Sequence, residues 1–110
     1  MVHELRIFQD QLGYHFNDPG LLLRALTHSS KGIENYERLE FLGDRVLGLV
    51  IADIVYMAFA SESEGGLAKR HSALACTETL AEIALNIGLQ DVVIMSEGER
   101  AAGGMKQENL

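Results

Sequence analysis

One proline, Pro19, is all that this chain of 110 residues contains, so nothing between Tyr36 and Phe59 forces a helix to stop. Good helix formers fill that stretch, which predicts a long central helix. Flanking segments carry helix punctuation too. Leu5, Phe8 and Leu12 recur at three and four residues, with Gly13 as a C-terminal stop. Asp18 can cap a short, largely buried helix that opens on Pro19 and runs through Leu21, Leu22 and Leu23 to Leu26. That helix ends near Thr27-His28-Ser29-Ser30, and a loop follows through Gly32. Ser63 can cap a helix to Ala75. Thr77-Glu78 starts another, with Leu80, Ile83, Ala84 and Ile87 inward and Gly88 as its stop. Only Val92-Val93-Ile94-Met95 reads as strand-like, Ser96 to Gly104 as a polar loop, and Met105 to Leu110 as the first turn of a helix. The expected fold is all-α, in one domain over residues 1–110.

The central helix carries an unusual arrangement of charge. At about 100° per residue, with Glu37 as zero, Glu40 and Asp44 fall at roughly 300° and 340°, so the three carboxylates share one line. Leu39, Leu42, Val46, Leu49, Val50 and Met57 fall between roughly 120° and 220°, which predicts a core stripe opposite the acids. Asp53 lies in that stripe and is expected to have a buried partner. Phe41 flanks the acids at roughly 40°, and a large ring beside charges suits a partner chain. Gly43 and Gly48 each cost about 1 kcal/mol relative to Ala within a helix. Gly48 falls on the side of Asp44, which permits close approach of a backbone or ligand; relief of crowding in the core is the alternative. Three such carboxylates repel one another unless a cation sits among them, and hard oxygens suit Mg²⁺ or Mn²⁺. The alternative is a solvated acidic face softened by Arg38 and Arg45.

Composition sets limits on function. The net charge of −7 argues against a broad basic surface for nucleic acid, unless metal ions or a separate basic module supply positive charge. Cys76 alone excludes an internal disulfide and a multi-cysteine zinc site, and is expected to be a small buried residue. Leu47 to Ala60 is near-apolar but interrupted by Asp53, and shorter than the roughly 20 residues that span a bilayer. No secretion signal is evident, so a cytoplasmic location and no membrane association are expected. A chain this short has a thin margin of stability, which oligomerisation would widen.

The string Glu37-Arg38-Leu39-Glu40-Phe41-Leu42-Gly43-Asp44-Arg45-Val46-Leu47-Gly48 closely resembles the signature motif of ribonuclease III. Leu12 to Pro19 and Leu26 to Ser30 are similar to the family's opening. Glu64-Gly65-Gly66-Leu67, Glu78-Thr79-Leu80-Ala81, and Gly98-Glu99 with Gly103-Gly104 follow in the family's order. The resemblance implies an all-α endonuclease domain that acts on double-stranded RNA as a homodimer, in rRNA and mRNA processing. Mg²⁺, or Mn²⁺, is the implied cofactor. Glu40 and Asp44 match its metal-ligating, catalytic carboxylates, and Glu37 and Glu64 match supporting acidic residues near the site. Phe41 matches an aromatic that plugs into the partner subunit.

The resemblance also implies a second acidic motif just after a segment like Lys106 to Leu110, followed by an RNA-binding domain, so the C-terminal helices are expected to be missing here. With half a carboxylate cage the fragment is expected to be inactive, the activity belonging to a longer parent. Glu97 stands where many relatives carry Lys, which weakens the case for a phosphate contact there. His28 is expected to hydrogen-bond within the structure or touch substrate, and His71 to meet phosphate or solvent. A non-catalytic RNA-docking or dimerisation module of the same fold is the alternative function. A di-iron helical bundle would need Glu-x-x-His pairs, and none is present.

Overall fold

The computed structural model describes residues 2–102. Six α-helices follow in order among them: α1 Val2–Leu12, α2 Pro19–Ala25, α3 Glu37–Ala58, α4 Glu64–Ala75, α5 Thr77–Asn86 and α6 Glu97–Ala101. Short 3-10 turns at Ser29–Lys31 and Leu89–Asp91 join α2 to α3 and α5 to α6. The all-α expectation holds. Gly103–Gly104 and the helical turn expected from Met105 lie outside the described residues.

Local chemistry accounts for the boundaries. Gly13 and Gly88 adopt φ of 78° and 76°, the left-handed conformation that closes α1 and the α5 segment at little steric cost. Asp18 Oδ1 accepts from the Leu21 N–H at 3.2 Å, and Ser63 Oγ from the Gly66 N–H at 3.1 Å, each satisfying an otherwise orphaned donor. Ser96 Oγ likewise accepts from the Glu99 N–H at 3.2 Å. That cap makes α6 a helix where a polar loop was expected; Ser96-x-x-Glu99 is a capping-box spacing. The strand-like stretch Val92–Met95 forms a single parallel bridge, Ile94 to Thr27, among the described residues.

The core gathers Phe8 of α1, Leu22 and Leu26 from α2 and its C-cap, and Val92, with Leu5, Phe16, Ile87 and Leu89 against it. Leu21 and Leu23 of α2 are exposed, so that helix is buried along one side only. In α5, Ala81 and Ala84 are buried while Ile83 is exposed. Cys76 is half-buried, its Sγ 3.1 Å from Thr79 Oγ1.

The main correction concerns α3. Its buried residues are Ile51 and Val55, which fall at roughly 320° and 0° by the same helical arithmetic. That is the side of the acidic line. The stripe expected in the core is open instead: Leu42, Val46, Leu49, Val50 and Met57 are exposed, and only Leu39 is partly covered. Asp53 is therefore exposed as well, since it belongs to the uncovered stripe. No helix among the described residues is long and apolar enough to cross a membrane.

These burial differences give a direct test. Val92 is 1% exposed, so Val92→Ala should cost about 2 kcal/mol from lost transfer and cavity terms. Leu49 is 71% exposed, and Leu49→Ala in this chain should stay within about 0.5 kcal/mol of the parent. Urea titration of both variants would check the contrast.

Candidate active site

The site begins where α3 begins. Tyr36 at the N-cap makes no side-chain cap. The preceding loop supplies the restraint: Asn35 Oδ1 accepts from the Glu37 N–H at 2.9 Å, and Asn35 Nδ2 donates to the Gly32 carbonyl at 2.7 Å. The Tyr36 N–H donates to the Thr27 carbonyl at 2.9 Å, and Arg24 Nε to the Asn35 carbonyl at 3.2 Å. Glu37 and Glu40 then occupy the first turn, where the helix dipole favours carboxylates.

Glu37, Glu40 and Asp44 are all solvent-exposed along the one line of α3. Arg45 moderates them from the side. Its Nη1 lies 3.2 Å from Asp44 Oδ2, and its guanidinium lies 3.9 Å over the centre of the Phe41 ring. The Asp44 side chain is 70% exposed, so this pair contributes at most about 1 kcal/mol. One guanidinium leaves the line net negative. Phe41 itself is 62% exposed, although it lies next to the buried side of α3, and has the cation as its cover.

Tyr36 adds a neighbour that the sequence reading passed over. Burial, and then the carboxylates of Glu40, Glu37 and Glu99, hold its phenol above the ordinary value of 10.0. The Glu99 carboxylate of α6 thus adds to the negative potential felt by Tyr36. Only the Ser96-x-x-Glu99 spacing signals in the sequence that Glu99 sits on an ordered helix.

Other candidate residues are placed elsewhere. His71 Nε2–H donates to the Gly48 carbonyl at 2.8 Å, so this histidine joins α4 to α3 and is not turned to solvent. Gly48 thus serves close approach, as its position suggested. Among the described residues no atom beyond its own stretch of helix backbone would lie within 4 Å of a Cβ at Gly43, so crowding does not explain that glycine. Glu64 lines a cavity of about 300 Å³ with Ala52, Val55, Tyr56, Leu67, Ala68 and His71. Ala52 is eight residues beyond Asp44, or roughly 12 Å along the axis. Within one chain, then, the structure groups Glu37, Glu40 and Asp44 and leaves Glu64 apart. His28 makes local hydrogen bonds, its Nδ1 accepting from the Ser30 N–H at 3.0 Å.

A metal fits this donor set in kind. Glu40 and Asp44 present hard oxygens one helical turn apart, and Mg²⁺ binds through one or two carboxylates while keeping several waters. Among the described residues no group of three His, Cys, Asp or Glu side chains converges, so the pair is a partial site.

Comparison with known proteins gives the arrangement its context. The family model described as Ribonuclease-III-like matches residues 18–110. Ribonuclease 3 of Albidiferax ferrireducens is 43% identical over 110 residues, covering all of this chain and 48% of that protein. Ribonuclease 3 of Francisella philomiragia is 47% identical over 110 residues, again covering all of this chain and 47% of its own length. The chain thus spans about half the length of the curated relatives it matches. The nuclease domain of ribonuclease III from Campylobacter jejuni superposes with a TM-score of 0.89 at 42% identity, over 94% of this chain and 73% of that one. That nuclease domain shows structural flexibility in a region involved in dimer formation. With the signature helix, the fold and these matches in agreement, the chain belongs to the ribonuclease III-like family.

Proposed function

We propose that this chain forms the N-terminal portion of the catalytic domain of a metal-dependent endoribonuclease that cleaves double-stranded RNA. The observation that carries the reading is the exposed pair Glu40 and Asp44, one turn apart on the ordered signature helix of a ribonuclease III-like chain. Glu40 and Asp44 would hold Mg²⁺, or Mn²⁺, with further ligands from a longer parent chain. Bound there, the ion supplies a polarised water and charge neutralisation at the scissile phosphate. Glu37 adds negative potential beside the pair, and Glu64 contributes only where a second subunit or RNA bridges the distance. A-form duplex would be recognised by shape, phosphate and 2′-hydroxyl contacts. The products would carry 5′-phosphate and 3′-hydroxyl ends, as in cytoplasmic rRNA and mRNA processing.

The test is incubation of the full-length protein with Mg²⁺ and either long duplex or single-stranded RNA, with mapping of the product ends. Cleavage confined to duplex, leaving 5′-phosphates, supports the reading; no cleavage in Mg²⁺ or Mn²⁺ refutes it. A non-catalytic docking module is disfavoured because such a module has no use for a repulsive acidic line.

The active form would be a homodimer. Phe41 and the uncovered apolar stripe leave more exposed apolar surface on α3 than a lone helix face needs. Phe41→Ala should shift the full-length protein towards monomer, with Kd for self-association raised about tenfold or more, as for a central aromatic anchor. Sedimentation at several concentrations would show this; an unchanged dimer would remove Phe41 from the interface.

A further inference from the structure

A polar chain connects the loop before α3 to the cap of α6. His28 Nδ1 accepts from the Ser30 N–H at 3.0 Å and lies 2.9 Å from Ser30 Oγ. A deprotonated Nδ1 offers a single lone pair, shared by the Ser30 N–H and hydroxyl, so the imidazole fixes the Ser30 backbone and its Oγ, which keeps a lone pair for a further donor. That lone pair receives the Ser96 N–H at 2.9 Å, across 66 residues of sequence. Ser96 in turn caps α6. Backbone bonds run alongside: the His28 N–H donates to the Ile94 carbonyl at 2.7 Å, and the Ile94 N–H to the Leu26 carbonyl at 2.9 Å. The imidazole also faces Tyr36, ring centres 5.6 Å apart, and the two rings border a cavity of about 90 Å³ against Leu89, Val93 and Met95. Tyr36 heads α3, and its carbonyl accepts from the Glu40 N–H at 2.7 Å.

We propose that His28 is a positioning residue for the acidic line: its ring packs against Tyr36 at the head of α3, and through Ser30 it ties the loop before α3 to Ser96, the cap of α6. This inference rests on the nuclease reading. Without the imidazole acceptor, the Ser30 N–H loses its partner, Ser30 Oγ is no longer held under the Ser96 N–H, and α6 and the head of α3 loosen against each other. The backbone bonds at Ile94 remain, so the fold survives. Asn is the conservative replacement, since its Oδ1 can accept from the N–H two residues on.

The test compares His28→Ala and His28→Asn in the full-length protein, by steady-state cleavage of duplex RNA in Mg²⁺ and by amide hydrogen exchange. For His28→Ala, exchange at Ser96 should accelerate. Its kcat should fall about tenfold, the lower end of the range for groups that orient metal-binding side chains, with KM within about twofold. His28→Asn should restore both. Unchanged exchange at Ser96, a kcat that stays at the parent level, or equal losses in the two variants would overturn the proposal. If the parent protein cleaves no duplex RNA, the nuclease reading fails separately. Mn²⁺ affinity then takes the place of kcat: loss in His28→Ala with recovery in His28→Asn supports the positioning role, and equal affinity in all three refutes it.

Discussion

Asp44→Asn in the full-length protein should lower kcat for duplex cleavage by at least a hundredfold. Outer partners of metal ligands already contribute 10- to 100-fold when removed, and Asp44 would be a ligand itself. The substitution keeps the shape of the side chain and removes only its charge. Asp44 is exposed and bonded within the described residues to Arg45 alone, so stability should change by no more than about 1 kcal/mol. KM for RNA should hold or fall slightly, because a negative charge is withdrawn from a surface that must meet phosphates. Asp53→Asn is the matched control: the same chemistry on the same helix, exposed, but on the apolar stripe away from the acids. Its kcat should remain within about twofold of the parent, as for a surface change remote from the chemistry. Cleavage by Asp44→Asn within tenfold of the parent would remove Asp44 from the catalytic set.

What the sequence made legible follows from how local each signal is. Helix ends depend on a few adjacent residues, so Asp18-Pro19, Ser63, Gly13 and Gly88 mark the observed boundaries. The acidic line is a consequence of spacing on one helix and needs no tertiary information. The side of α3 that would be buried does need it. Apolar periodicity marked as core a stripe that is exposed here: α4 packs on Gly48 and Val55, on the acid side, where His71 reaches the Gly48 carbonyl. Small residues at Gly48 and Ala52 were the available clue, since they let a second helix approach. The contact between Ser30 and Ser96 joins residues far apart in the chain through polar atoms, and no periodicity encodes it. Glu99 escaped notice as a charge acting on Tyr36 for the same reason.

The 110-residue chain by itself should not cleave long duplex RNA at Mg²⁺ concentrations that drive the full-length protein. Two carboxylates on one turn leave most of an octahedral Mg²⁺ shell to water, and affinity follows ligand number and charge, so binding should be no tighter than roughly millimolar. The approach of RNA is unfavourable as well. A net charge of −7 gives no counterion-release gain to offset the weak metal site. Raising Mg²⁺ should rescue little, since the ion would screen both surfaces without being held in line with a phosphate. The exposed stripe compounds the deficit: Leu42 at 58% and Met57 at 71% exposure present apolar surface that favours self-association over RNA binding. Calorimetric titration with Mn²⁺ and a cleavage time course on the purified chain would settle the matter together. Weak binding and no product are expected. Multiple-turnover cleavage by the 110 residues alone would show that Glu40 and Asp44 suffice, and that further ligands from a longer chain are not required.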